Sequence, residues 1–295
     1  MRIIGLLATY NEELVIEACL EHHLAQGIEL YLLDNGSTDG TVSLARPYLG
    51  HGLINIEPIK RDSLFNLPKI LDRKQELAAT LAADWFIHLD ADEQRLPPEP
   101  SQTLAQALAV VDAAGYNAVN FLEFTFIPTL EAPDHAHTHF QETMHWYYPF
   151  LPWLLHRVNA WQKQPAPVDL TSRSGHVVVF PGQFIYPIPF QMRHYQFLSV
   201  AHAIQKYAHR RHPTEALAKG KHGWREQLDP ASIRLPSCAQ LHEVEDDGRL
   251  DFAHPRSVHF LDNRRAGQHS SVSAPVQFVR LLKQARRKLR VMWKR

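Results

Sequence analysis

The sequence of 295 residues lacks several features that mark common protein classes. It has only two cysteines, Cys19 and Cys238, which exclude a disulfide framework and favour a reducing compartment. It has no run of about 18 apolar residues, the length that a membrane-spanning helix requires. The turn after the first apolar run contains no Gly-x-Gly-x-x-Gly, so a nicotinamide-binding Rossmann domain is disfavoured. We therefore expect a globular protein of the cytoplasm.

The formal net charge of zero conceals a gradient of charge along the chain. Residues 1–100 carry 8 Lys and Arg against 16 Asp and Glu, whereas residues 201–295 carry 19 against 9. In residues 278–295, apolar side chains recur at helical spacing among basic ones and predict a terminal basic amphipathic helix. Such a helix either lies on the inner face of an anionic membrane or packs its apolar side on the domain. No nucleic-acid-binding motif accompanies these charges, so no nucleic-acid partner is expected.

Strand and helix signals alternate regularly over the first 126 residues. Apolar runs predict strands over residues 2–8, 28–33, 53–59, 85–89 and 116–126. Helical periodicity and caps predict helices over residues 12–26, 68–83 and 101–114. This alternation predicts an α/β fold with a mostly parallel central sheet flanked by helices.

The regular alternation ends near residue 127. Residues 127–170 are rich in Pro, His and Trp and predict a long, irregular excursion over a site. Strands over 176–180 and 184–195 and a helix over 199–211 follow in the prediction, and residues 213–270 are expected to be irregular. The C-terminal half is therefore expected to be an irregular region that completes the site.

Three polar segments follow predicted strands: TYNEE from Thr9, DNGSTDGT from Asp34 and DADE from Asp90. The carboxyl ends of parallel strands meet at one edge of a sheet, where ligands of open α/β sheets bind. Carboxylates crowded at that edge repel one another unless a cation or protons intervene, and oxygen ligands suit Mg²⁺ or Mn²⁺. The alternative interpretation is a solvated acidic loop in DADE and a tight turn with a helix cap in DNGSTDGT.

The spacing of these three motifs over residues 1–125 resembles glycosyltransferases of family 2, which have the GT-A fold, especially the subgroup with DNGSTDGT and DADE. The resemblance implies transfer of a sugar from a nucleotide-diphosphate sugar, by default a UDP-sugar, with Mn²⁺ or Mg²⁺ as cofactor. It also implies a glycan or lipid-linked acceptor of the cell envelope and inversion at the anomeric carbon.

The resemblance also implies roles for individual residues. Nucleotide binding is expected of Thr9, Tyr10, Asn11, Glu12, Asp34, Asn35, Arg73, Lys74, Asp90 and Ala91. Metal binding is expected of Asp90, Asp92 and His194. Lys206, one helix face further on, is a candidate contact for phosphate. For Arg73 and Lys74 the alternative is a solvated helix face, and for His194 it is a structural histidine.

An inverting transfer needs a general base for the acceptor hydroxyl. Asp169 and Glu142 lie at a suitable distance along the chain after DADE, and no motif selects between them. The alternating histidines of residues 135–139 suit either a zinc site or a polar lid. The aromatic residues between 146 and 161 either pack against acceptor sugars or bury the loop against the sheet.

We divide the chain into three parts on this basis. Residues 1–126 form the nucleotide-sugar-binding half, residues 127–212 the acceptor-side half of the same catalytic domain, and residues 213–295 a C-terminal extension. Two alternative functions remain: a degenerate GT-A domain that binds a glycan or partner without turnover, and a sugar nucleotidyltransferase. The acidic, glycine-free TYNEE segment argues against the second, because such enzymes hold a triphosphate in a glycine-rich basic loop.

Overall fold

A computed structural model describes residues 1–61, 66–208 and 233–261 of the chain. Four parallel strands form its N-terminal half: β1 (Ile3–Thr9), β2 (Glu29–Asp34), β3 (Leu53–Pro58) and β4 (Trp85–Asp90). The side chains of β1, β2 and β4 are buried on both faces of the sheet, whereas β3 is an edge strand that is largely exposed. The helices of this half are α1 (Ile16–Ala25), α2 (Thr41–Ala45), α3 (Leu67–Thr80) and α4 (Leu104–Ala113). The predicted strands and helices of this half are present.

The remaining strands of the described residues extend the same sheet. They are β5 (Glu93–Leu96), β6 (Ala118–Phe126), β7 (Trp146–Phe150), β8 (Val158–Gln162), β9 (Phe190–Tyr195) and β10 (His242–Glu243). Two short helices, α5 (Phe140–Thr143) and α6 (Val200–Ala203), belong to this half, and a π-helical turn, Ile204–Ala208, follows α6.

The strand order explains how distant segments meet at one edge. The order is β10-β7-β6-β8-β4-β1-β2-β3, and β9 pairs with both β5 and β6. β8 lies antiparallel between β4 and β6, whereas β9 runs parallel to β6. Two apolar clusters of buried side chains pack on the sheet. The mixed α/β architecture, with its mostly parallel centre, is the one expected from the sequence.

The structure corrects the prediction for the C-terminal half. Residues 127–170 are not an irregular excursion throughout, since they contribute β7 and β8 to the sheet. Most of their aromatic side chains are accordingly core residues: Trp161, Tyr147 and Tyr148 are buried, whereas Trp153 is 53% exposed. The predicted strand over 176–180 is reduced to isolated bridges, and that over 184–195 begins only at Phe190, because Pro187 and Pro189 have no N–H to donate.

Several predictions fall on residues that the structure does not describe. The terminal amphipathic helix over 278–295 lies outside the described residues, as do residues 209–232. Within the described part of the chain, no helix combines the length and hydropathy needed to cross a bilayer.

Candidate functional site

The loops after β1 and β2 are joined by hydrogen bonds between side chains and backbone. Thr38 N donates to Asn11 Oδ1 at 2.8 Å, and Asn11 N donates to Ser37 Oγ at 3.0 Å. Glu12 N donates to Thr41 Oγ1 at 2.8 Å. The first two predicted motifs therefore form one rigid rim, with Asn11 held at a positive φ of 52°.

This rim contains both paired and unpaired polar groups. Asp34 accepts hydrogen bonds from the backbone N–H of Gly36 and Ser37 at 3.2 Å, so its carboxylate shapes the turn. Thr9 Oγ1 and Asn35 Nδ2 are buried and have no hydrogen-bond partner in the described residues. Thr9 and Asn35 are only 4% and 5% exposed. Such buried polar atoms are rare and call for a partner, which a bound ligand supplies.

A cleft of about 140 Å³ opens beside this rim. The ends of β1 and β4 form one wall, and the π-helical turn and residues 174–176 face them. The predicted residues that line the cleft are Thr9, Tyr10, Glu12, Asn35, Lys74, Asp90, Ala91, Asp92, His194 and Lys206. Gly175 also lines it, and a Cβ there would lie 3.0 Å from the His88 ring. The structure thus brings together most of the residues that were predicted from the sequence to form the site.

Asp92 is held by two cationic side chains on the cleft wall. Lys206 Nζ donates to Asp92 Oδ2 at 2.8 Å and to Glu12 Oε2 at 3.0 Å. His194 Nε2 lies 3.4 Å from the same Asp92 oxygen. Burial raises the pKa of Asp92, but the charges of Lys206 and His194 outweigh it and hold the pKa well below its usual value. Asp92 is therefore an ionised carboxylate whose Oδ2 atom contacts two cationic side chains. Asp90, by contrast, is 51% exposed.

Behind His194 lies a buried network centred on Glu123, which is fully buried in β6. Glu123 accepts hydrogen bonds from His194 Nδ1 at 2.7 Å, His156 Nε2 at 3.0 Å and Arg157 Nε at 2.8 Å. Burial alone would lower the pKa of His194, but Asp92 and Glu123 raise it to about 9. His194 is therefore an imidazolium that bridges two carboxylates, and its position is fixed by both ring nitrogens.

The two predicted basic residues of α3 have different environments. Lys74 is fully buried, and its ammonium donates to Leu89 O at 2.9 Å and lies 3.1 Å from His88 Nδ1. Burial lowers the pKa of Lys74 to about 8. Arg73 instead pairs with Glu57 at 2.7 Å away from the cleft. The prediction that places Arg73 at the nucleotide thus has no support from the geometry, because its guanidinium pairs with Glu57 and does not line the cleft.

The two candidate general bases lie outside the cleft. Asp169 accepts hydrogen bonds from Thr171 N and Ser172 N at 2.8 and 2.9 Å, which makes it the cap of a turn. Glu142 lies in α5 with a side chain that is 77% exposed. The geometry therefore gives neither residue a position from which to take a proton from an acceptor in the cleft.

No motif predicted Glu123, His156 or Arg157 at the site. Arg157 nevertheless lines the cleft, Glu123 pairs with His194, and His156 pairs with Glu123. Glu93, the last residue of DADE, also lines the cleft. A signal existed for Glu123, since a single carboxylate interrupts the apolar strand β6. A charge within a fully buried strand must be paired, so it indicates a buried network.

The donor set does not fit a divalent cation in this arrangement. In the part of the chain that the structure describes, no three His, Cys, Asp or Glu side chains converge as metal ligands. A histidine ligates through a nitrogen lone pair, and both nitrogens of His194 face carboxylate oxygens. Asp92 already accepts a hydrogen bond from the ammonium of Lys206. Of the three predicted ligands, only Asp90 has no close cationic partner in the described residues, its nearest being His88 at 4.0 Å.

Comparisons with known proteins agree with this architecture. Residues 6–121 match the sequence model of glycosyl transferase family 2. No curated protein matches the chain.

Solved structures of low similarity include TarS 1–349 of S. aureus in complex with UDP-GlcNAc, with 12% identity and a TM-score of 0.39 over 66% of this chain and 59% of that one. Glucosyl-3-phosphoglycerate synthase from Mycobacterium tuberculosis, in complex with Mn²⁺, UDP and phosphoglyceric acid, has 19% identity and a TM-score of 0.28 over 42% of this chain and 43% of that one. The chain thus spans less than two thirds of either solved chain. Such similarities carry no information about substrate or cofactor. Residues 6–121 are therefore similar to glycosyl transferase family 2, and the mostly parallel sheet flanked by helices agrees with an α/β fold of the GT-A type.

Proposed function

We propose that this protein transfers a sugar from a nucleotide-diphosphate sugar, by default a UDP-sugar, to a glycan or lipid-linked acceptor of the cell envelope, with inversion. The observation that carries the proposal is a pair of buried polar atoms, Thr9 Oγ1 and Asn35 Nδ2, which have no hydrogen-bond partner among the described residues and belong to residues that line the cleft. A nucleoside bound along this rim would supply their missing hydrogen bonds, which is a reason for a stable fold to retain them.

The chemical step depends on the positive charges of the lysine side chains that line the cleft. The oxygen of an acceptor hydroxyl attacks the anomeric carbon, and the bond from that carbon to the diphosphate breaks with its electron pair on the phosphate oxygen. The proton of the hydroxyl passes to a general base. Negative charge therefore develops on the leaving diphosphate, where Lys206 and Lys74 line the cleft and supply positive charge.

Two other features of the prediction concern the cofactor and the location. The family resemblance implies dependence on Mn²⁺ or Mg²⁺, but the described donor set does not fit a divalent cation, so the proposed function includes no step on a metal. Location in the cytoplasm, with membrane contact through residues 278–295, stays a prediction because that segment lies outside the described residues.

The alternative functions differ in what the cleft must hold. A sugar nucleotidyltransferase binds a nucleoside triphosphate, and the acidic rim of Glu12 and Glu13 after β1 does not favour one. A degenerate domain without turnover would bind a glycan and no nucleotide. Binding of nucleoside diphosphates therefore separates the proposed function from both alternatives.

The test is calorimetric titration of UDP, GDP, dTDP and CMP, each in buffer with Mn²⁺ and again in buffer with EDTA. We expect one nucleotide to bind in at least one buffer, and we expect Asp92→Asn to weaken that binding by tenfold or more, about 1.4 kcal/mol. The matched control is Asp247→Asn, an exposed carboxylate remote from the cleft whose side chain is 52% accessible. Failure of every nucleotide to bind to folded wild-type protein in both buffers would overturn the proposal.

A further inference from the structure

Lys206 occupies an unusual position for a lysine. Its side chain is only 6% exposed, and it reaches Asp92 from 114 residues further along the chain. Burial of a long side chain costs conformational entropy, and a lysine is almost never fully buried unless it is paired. Lys206 meets that condition with two carboxylates, Asp92 at 2.8 Å and Glu12 at 3.0 Å. The π-helical turn Ile204–Ala208 carries the ammonium to this place.

The ammonium lies where a divalent cation would have to bind. Asp92 is the second acid of DADE, and Lys206 and His194 both approach its Oδ2 atom. A divalent cation at the same oxygen would stand beside the Lys206 ammonium, 2.8 Å from that oxygen, and be repelled by it. His194 has no ring nitrogen available to compensate, since its Nδ1 is bonded to Glu123 at 2.7 Å.

The geometry also leaves the ammonium able to contact a ligand. A lysine ammonium has three N–H donors, and in the described residues two of them reach Asp92 and Glu12. Lys206 lines the cleft beside Lys74 and Arg157, so its third donor is available to a phosphate oxygen there. Charge-assisted hydrogen bonds of this kind are roughly twice as strong as neutral ones.

We propose that the Lys206 ammonium replaces the divalent cation of this transferase: it neutralises Asp92 and binds the donor diphosphate, so that donor binding requires no metal. This inference rests on the proposed function and goes beyond it by making donor binding independent of a metal. Removal of the ammonium frees Asp92, which with the exposed Asp90 then offers two carboxylates to a cation. The Lys206→Met variant should therefore acquire the metal dependence that the wild type lacks.

The experiment titrates UDP by calorimetry into wild type, Lys206→Met and Lys206→Arg, in EDTA and in Mn²⁺. For wild type we expect affinities within about twofold of each other in the two buffers. In EDTA we expect Lys206→Met to bind UDP about 10- to 100-fold more weakly, as for the loss of a hydrogen bond to a charged group. Mn²⁺ should restore part of the lost affinity, and Lys206→Arg should retain most of the binding in EDTA.

Two further measurements separate a specific effect from general damage. Titration with uridine, which has no diphosphate, should give the same affinity for wild type and Lys206→Met. Lys163→Met is the matched control, because the Lys163 ammonium also donates a hydrogen bond at 2.6 Å, to Leu81 O, but lies outside the cleft. Electron paramagnetic resonance of free Mn²⁺ should detect binding of the metal by Lys206→Met and none by wild type.

The outcomes distinguish this inference from the function on which it rests. Binding of UDP to wild type only with Mn²⁺, or unchanged affinity of Lys206→Met in EDTA, would overturn the inference and leave the proposed function in place. Absence of any nucleotide binding to folded wild type in both buffers would instead overturn the proposed function.

Discussion

The rim of the cleft and the buried network behind His194 differ in how completely their buried polar groups are paired. At the rim, Thr9 and Asn35 have polar atoms with no partner in the described residues. In the network, the fully buried Glu123 accepts hydrogen bonds from three side chains, His194 among them. An unpaired buried polar atom carries a free-energy cost that a ligand can relieve, whereas a fully paired network holds its members in place. The rim is thus suited to receive a ligand and the network to position Asp92.

Loss of the acid at the centre of the network should give the largest effect. Glu123→Gln leaves His156, Arg157 and His194 without their common carboxylate in a buried site. We expect the free energy of unfolding to fall by about 3–5 kcal/mol, the usual cost of breaking a buried ion pair from one side. Urea unfolding of wild type and Glu123→Gln measures this fall in the free energy of unfolding. Glu142→Gln, at a side chain 77% exposed, should change the free energy by less than about 0.5 kcal/mol. An unfolding midpoint for Glu123→Gln equal to that of wild type would contradict the account of the network.

The pH dependence of stability should report the charge on His194. Its folded pKa is about 9, above the ordinary value of 6.5, so the stability it contributes is fully present below about pH 6.5 and is lost as the pH rises through 9. The expected loss is about 3 kcal/mol in the free energy of unfolding. Urea unfolding of wild type and His194→Gln between pH 6 and 10 measures this loss.

A second titrating group acts in the same pH range with the opposite sign. The folded pKa of Lys74 is lowered to about 8, so its deprotonation favours the folded state as the pH rises from about 8 towards the ordinary value of 10.5. This contribution is shared by wild type and His194→Gln, and the difference between the two profiles therefore isolates His194. Parallel profiles would show that His194 carries no such charge.

The smallest effect is expected at the rim. Thr9→Val replaces an unpartnered buried hydroxyl with a methyl group, so stability should be nearly unchanged, whereas UDP should bind about fivefold more weakly, near 1 kcal/mol. Unfolding and calorimetry together measure the two effects. The matched control is Thr129→Val, since the buried Thr129 hydroxyl accepts a hydrogen bond from Ala132 N. That variant should lose about 1 kcal/mol of stability and retain UDP affinity. Equal effects of the two variants on UDP affinity would remove the distinction between the rim and the rest of the fold.

The parallel half of the fold could be predicted from the sequence because its strands are near-continuous apolar runs separated by capped helices. β7 and β8 could not, since Trp146–Phe150 and Val158–Gln162 are short and mix polar and aromatic residues. They become strands only through long-range pairing with β6, which a local pattern does not contain. The partners of Glu123 could not be predicted for the same reason, because they lie 33 and 71 residues away in the sequence.

The sequence by itself determined the α/β class, the edge at which the three polar motifs meet, and the similarity of residues 6–121 to glycosyl transferase family 2. These follow from hydrophobic periodicity and from the rule that parallel strands end at one edge. Only the tertiary structure decided which charges meet there: that Lys206 pairs with Asp92, that His194 bridges two carboxylates, and that Arg73, Asp169 and Glu142 lie elsewhere. The physical reason is that ion pairing depends on distance in space, and residues more than a hundred positions apart in sequence lie within 3 Å of each other only after the sheet has formed.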